Sequence, residues 1–379
     1  MHSVSKTKWS GTVKRAGLLL LFLCISLLSI AQNSDSLLAR QRDSITAAYR
    51  DTNYVLPYTR YLTTRVFLSQ KYTLFALENS RGYRDIQYRP NTNLSVGAGF
   101  TYRAITMNFA YGFKFMNPDD EKGKTEYLDL QAHLYGIKWR FDWFGQFYKG
   151  YYIFPKGYGT SDGSSYYHRG DLRVRDFGLS ASHIFNSKRF SYRAAFLQSE
   201  WQKKSAGSFL AGASFVVGSI RGDSAFVPQV FEGNYLQRDV KELNYLGIGP
   251  GAGYAYTFVF KEHWFITGSA SLNLVWSLIK ETNLNGISSS SGYLAPNVLI
   301  RAGLGYNSSS WGANVSWVAS RTAVEGQFST DGYHINSGNY RLSVNKRFIT
   351  KGKTRNFLNK VDGIFNRFIM KTGGNKNKK

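Results

Sequence analysis

Residues 105–115, ITMNFAYGFKF, alternate without a slip. Ile105, Met107, Phe109, Tyr111, Phe113 and Phe115 share one face of a strand, and Thr106, Asn108, Ala110, Gly112 and Lys114 share the other, because successive side chains point to opposite sides. The same two-residue period returns in Leu94, Val96, Ala98, Phe100 and Tyr102, and again in Leu128, Leu130, Ala132 and Leu134. A face this apolar has to leave water, either in the core of a soluble sandwich or against lipid. After the N-terminal run, no apolar stretch approaches the roughly 20 residues of a membrane helix. Entry into a bilayer is therefore open to this chain only as a closed sheet.

The N-terminus has the form of an export signal. Lys6, Lys8, Lys14 and Arg15 precede the run AGLLLLFLCISLLSI, and the small residues Ser29 and Ala31 suit a cut before Gln32. Residues 1–31 are expected to be cleaved. Cys24 is the single cysteine and falls in that segment, so the remaining chain has neither a disulfide nor a thiol nucleophile. Loss of the four signal cations lowers the formal charge from +24 to +20. Such a balance favours anionic partners. In an exported, strand-rich chain these are lipid phosphate and acidic solutes, and nucleic acid is not expected.

Two features choose the barrel over the sandwich. Connections mostly alternate: those near 103, 136, 187, 261 and 308 are tight, whereas those at 79–91, 117–126, 153–170, 279–292 and 321–337 are long and polar. Outer-membrane barrels have that asymmetry between periplasmic turns and surface loops. Aromatic residues also gather near strand ends, as in FVFKEHWF (258–265) and YNSSSW (306–311), matching the belts at a lipid interface. The greasy face is thus predicted to point outward. The expected fold is an all-β antiparallel transmembrane barrel of 12–14 strands, with a short N-terminal helix over 36–50. Segments 172–185, 190–198 and 207–218 are among its predicted strands. The stretch 219–243 breaks the alternation of connections: a hidden strand at AFVPQVF (225–231) gives fourteen strands, and an early segment outside the wall gives twelve.

The predicted division is a signal peptide (1–31), a periplasmic lead-in (32–60), the barrel (61–348) and a basic periplasmic tail (349–379). In the tail, Phe357, Leu358, Val361, Ile364, Phe365, Phe368 and Ile369 recur at three-and-four spacing, the pattern of an amphipathic helix. That helix suits inner-leaflet headgroups or another envelope protein.

Several strings carry a family resemblance: DTNYVLPY, TTRVFLSQKYTLFAL, YRPNTNLSVGAGFTYR, KTEYLDLQ, YGIKW, QFYKGYY, FLQSEWQKKSAGSFLAG and AGYAYTFVFKEHWFITGS. Over roughly residues 51–348 the chain resembles domain-of-unknown-function family 4421 of Bacteroidota. The resemblance implies an exported, barrel-like protein in the outer membrane of a Gram-negative bacterium. It brings no activity, cofactor or catalytic residue.

The residues themselves nominate a polar lumen. Lys114, Asp129, Gln131, His133, Lys138, Arg140, Asp142, Arg193, Arg301 and Arg341 fall on the face opposite the apolar one. Pairing Tyr135 with Lys138 around Gly136 sets His133 opposite Arg140 and Gln131 opposite Asp142. Asp129 stands roughly 13 Å along the strand from His133, too far to orient it as a general base. No motif supplies a nucleophile, the histidines lack metal-ligand spacing, and the glycine runs precede no helix and are not phosphate loops. No catalytic motif is found, and no cofactor or metal is expected. Two Arg-Gly-Asp tripeptides, at 169–171 and 221–223, are coincidences of composition. Three functional classes follow: a transport or binding barrel for a small anionic or amphiphilic solute, a structural or assembly partner contacting lipopolysaccharide and other envelope proteins, and a lipid-modifying enzyme.

Overall fold

The computed structural model describes residues 49–103, 105–116, 119–231, 233–328 and 331–360. Fifteen strands follow in order: β1 (Val55–Pro57), β2 (Tyr61–Leu77), β3 (Ile86–Arg89), β4 (Ser95–Tyr102), β5 (Ile105–Gly112), β6 (Glu126–Tyr135), β7 (Trp139–Phe154), β8 (His168–Ile184), β9 (Glu200–Gln202), β10 (Ala206–Arg221), β11 (Val240–Phe260), β12 (Trp264–Asn283), β13 (Ser288–Asn307), β14 (Trp311–Val324) and β15 (Tyr333–Ile349). Thirteen of them form one antiparallel sheet. Its continuous path β15-β14-β13-β12-β11-β10-β8-β7-β3-β2 closes on itself through a β15–β2 pairing, so ten strands make the ring.

β12 shows why the sheet closes this way round. Its outward residues include Trp264, Ile266, Leu272, Leu274, Trp276 and Leu278, all about half exposed. Its inward residues include Thr267, Ser269, Ser271, Asn273 and Ser277, all buried. A water-soluble protein would bury the first set and expose the second. At about 25 cal/mol per Å², an apolar wall of this extent is stable only against lipid. Several of the buried hydroxyls and amides bond to one another: Thr257 with Thr267 at 2.8 Å, Asn273 Nδ2 to the Asn297 carbonyl at 3.3 Å, and Asn297 Nδ2 to Thr322 Oγ1 at 3.3 Å.

The ring is smaller than the sequence count because the wall divides. β3 and β4 are two parts of one run broken at Pro90–Leu94, where proline offers no amide to a ladder. Above the break β3 bridges β2 and β7; below it β4 pairs with β2 and β5 with β4, whereas β6 pairs only with β7. No ladder joins β5 to β6 among the described residues. Met107 to Tyr111 are exposed on both faces of β5, as expected of an edge strand leaving the ring.

Two further expectations are corrected. Segment 190–198 is no wall strand: 185–205 turns into the ring at the tight-turn end, with a short π-helical turn at Arg193–Leu197 and β9 pairing β1. Once that segment is removed from the wall, 222–239 falls at the long-loop end, which explains the break in alternation without a strand at 225–231. The connection between β12 and β13 is also short, at 284–287, because both strands run on past the expected loop.

The ring is filled at both ends. At the long-loop end, Phe75, Tyr88, Ile153, Phe226, Leu243, Tyr333 and their neighbours form an apolar core inside the wall. Phe226, Val227 and Tyr235 reach it from the 222–239 loop. A lumen polar throughout is therefore corrected: its outer part is packed with aromatics. The tail is helical over 352–360, including Phe357 and Leu358. Val361, Ile364, Phe365, Phe368 and Ile369 lie outside the described residues, as do the signal segment and most of the predicted 36–50 helix.

Candidate binding site in the barrel interior

Between the two fillings lies a buried charge cluster. Adjacent strands β6, β7 and β8 and the facing strand β13 place it. Asp142 of β7 meets Arg301 Nη2 at 2.5 Å, Arg140 Nε at 3.2 Å and His133 Nδ1 at 2.8 Å. Ser180 donates to Asp142 at 3.2 Å, and Arg140 Nη2 donates to Ser182 at 2.7 Å. Arg140 also lies over the Tyr192 ring at 5.6 Å. Arg140 and Arg301 are 0% and 2% exposed, so two guanidiniums share one carboxylate inside a low-dielectric wall. Arg140 Nη1 and Arg301 Nε and Nη1 have no hydrogen-bond partner in the protein. A cavity of about 40 Å³ touches Gln131, His133, Asp142 and Arg301, room for a few waters or a small anionic group.

The register of the β6–β7 hairpin differs from the expected one. Tyr135 pairs with Arg140, His133 with Asp142 and Gln131 with Phe144, because Gly136–Lys138 form a wider turn than the sequence suggested. The shift brings His133 and Asp142 into direct contact. Asp129 points inward and is held by Tyr148 (2.6 Å), Gln146 (3.2 Å) and the Lys71 ammonium (3.3 Å). Arg341 also turns inward, over the Phe67 ring at 4.5 Å. Two predicted lumen residues are corrected. Lys138 sits in the hairpin turn, exposed, with its ammonium 4.6 Å from the Tyr49 ring. Arg193 belongs to the inserted segment and not to a wall strand, and its Nη1 lies 3.4 Å from Glu200. Lys114 falls in a 3-10 turn after β5, and its side chain lies outside the described set.

The inserted segment is itself a network that sequence reading missed. Buried Glu200 pairs with Arg50 at 2.6 Å, and Arg50 Nη1 also donates to the carbonyls of Ser187 and Phe190. Arg347 donates to the carbonyls of Gln198, Ser308 and Trp311. Arg65 Nη2 reaches the Leu197 carbonyl at 2.8 Å, and Tyr58 donates to the Ser308 carbonyl at 2.6 Å. These bonds tie residues 50–60 and 187–200 to the wall and fill the tight-turn mouth. One signal was available: in 186–204 the charges Lys188, Arg189, Arg193, Glu200, Lys203 and Lys204 occupy both parities, which no lipid-facing strand tolerates.

Fold and site together define a transmembrane β-barrel whose interior is filled at both ends around the buried Arg140–Asp142–Arg301 cluster. The chain belongs to DUF4421, a domain of unknown function, whose family model matches residues 49–348. A comparison with curated proteins finds no match. Among solved structures, the chain is similar to the translocator domain of the autotransporter NalP from Neisseria meningitidis (11% identity, 83% of this chain and 98% of that one, TM-score 0.31). It is similar also to the P. putida toluene transporter TodX (9%, 80% and 94%, 0.27) and to OmpT of Vibrio cholerae (9%, 76% and 98%, 0.25). Likenesses at this level carry no argument about activity.

Proposed function

We propose that this protein is an outer-membrane barrel of a Gram-negative envelope that binds an anionic amphiphile, admitted from the side and not along the axis. The observation that carries this reading is the unpaired edge between β5 and β6 beside the Arg140–Asp142–Arg301 cluster. His133 projects from β6 into that cluster while its side chain stays 24% exposed. Both ends of the ring are filled, so a solute has no free axial path. The partnerless guanidinium N–H groups fit a carboxylate or phosphate head, and the apolar flanks of β5 and β6, Phe109, Tyr111, Leu130 and Leu134, fit its tail.

The test uses the full chain in detergent with a fluorescent fatty acid and its methyl ester. The acid binds and the ester binds at least tenfold more weakly; Arg301→Gln removes the preference while the folded band on a heat-modifiability gel persists. Equal binding of acid and ester, or no binding of either, would overturn the reading.

A second reading rests on the same edges. Free strand edges accept a strand from a partner, which would make the barrel an assembly component. A cross-linkable cysteine at Asn108 that captures one defined envelope protein, together with failure of the amphiphile test, would favour it.

A further inference from the structure

The outward face of β7 to β13 holds a second site that does not depend on the interior. Cross-strand register lines up outward side chains in rows. One row runs Phe147, Arg175, Ser219, Asn244, Lys280 and Ser290 across five ladders. The row beneath it runs Gly145, Phe177, Val217, Leu246, Leu278 and Gly292. The first row is polar and cationic, and the second is apolar with glycine at both ends. Where they meet, the wall is hollowed into a groove of about 730 Å³. Arg175 and Lys280 stand exposed on its rim, and neither has a carboxylate partner among the described residues. In the next row Arg173 is equally exposed, whereas Arg221 approaches Glu242 at 3.9 Å.

Unpaired cations on a lipid-facing wall are costly unless an anion meets them there. The row lies toward the long-loop end, which in barrels of this kind faces the cell exterior. Arg175 and Lys280 are separated by three ladders, about 14 Å at about 4.8 Å each. That span exceeds a single phosphate and suits a broad headgroup with phosphates at its two ends.

We propose that this groove binds a bisphosphorylated glycolipid of the outer leaflet, its acyl chains over Phe177, Val217, Leu246 and Leu278 and its phosphates on Arg175 and Lys280. The experiment is native mass spectrometry of the full chain in detergent, titrated separately with bisphosphoryl lipid A, monophosphoryl lipid A and phosphatidylglycerol. The bisphosphoryl form binds about tenfold more tightly than the monophosphoryl form, the value of one lost charge-assisted hydrogen bond, and phosphatidylglycerol binds more weakly still. Arg175→Gln with Lys280→Gln removes the advantage of the second phosphate. Lys346→Gln, outward at the opposite end of β15, leaves it intact. Equal binding of all three lipids, or a double variant indistinguishable from the parent, overturns the assignment. Both substituted side chains point away from the interior, so the variants are expected to keep the folded band, which is checked alongside.

Discussion

Replacing Glu200 by Gln should loosen the inserted segment and leave the barrel wall in place. The Glu200 side chain is 0% exposed and that of Arg50, 2.6 Å away, is 1% exposed. Arg193 stands 3.4 Å from the other carboxylate oxygen, with 11% exposure. The substitution keeps size and shape but strands two buried guanidiniums. Removing one member of a buried pair costs about 3–5 kcal/mol, in line with the roughly 4 kcal/mol that Coulomb's law gives at 4 Å and an effective dielectric of 20. The loss falls on local opening of the segment, because the wall ladders do not pass through Glu200. Local opening is read by hydrogen exchange. The amides of Ser191, Ala194 and Ser199 donate to Gln202, Ser191 and Arg193, respectively, and should exchange more than a hundredfold faster, as about 3 kcal/mol requires. Amides of β12 should not change. Arg50→Met combined with Glu200→Met should restore part of the protection, since Arg50 and Glu200 are then removed together while the Arg193–Glu200 contact is still lost. An acceleration below about threefold, or an equal acceleration in β12, would refute the reasoning.

Three further outcomes follow. Leu272→Arg, on the lipid face at mid-strand, should cost about 2–4 kcal/mol in folding titrations into liposomes, and Phe260→Arg near the tight-turn interface about 0–1; equal costs would deny the outward orientation. Phe226→Ala removes a fully buried ring from the core at the long-loop end and should cost about 3–5 kcal/mol, seen as an earlier loss of the folded band on heating. His133→Phe removes the Asp142 contact but leaves both arginines paired to it. It should therefore destabilise less than Asp142→Asn, which strands Arg140 and Arg301; the reverse order in urea unfolding would contradict the cluster's assignment.

The wall was legible because its physics is local. Each inward–outward choice in β12 is stated by one residue and its neighbour, and lipid inverts the pattern without blurring it. The aromatic ends of β11 and β14 were legible for the same reason. What escaped depended on contacts distant in sequence. Segment 190–198 alternates well enough to pass for a strand, and contacts distant in sequence, such as Glu200 with Arg50, 150 residues away, and Arg347 with the Gln198 carbonyl, hold it inside the ring. The β6–β7 register hung on the width of one turn, and a two-residue difference decided which side chain faces His133. Ring size was hidden by Pro90, which breaks one strand into two that serve different neighbours. Of the charge cluster, alternation could place Asp142, Arg140 and Arg301 inside, but not bring β13 across the ring to β7.

The proposed lateral entry requires an interior closed along the axis around the Arg140–Asp142–Arg301 cluster. Planar-bilayer recording of the full-length protein tests it most directly. The parent is expected to show no steady conductance, even at high salt. A stable, open, anion-selective conductance in the unmodified protein would contradict it.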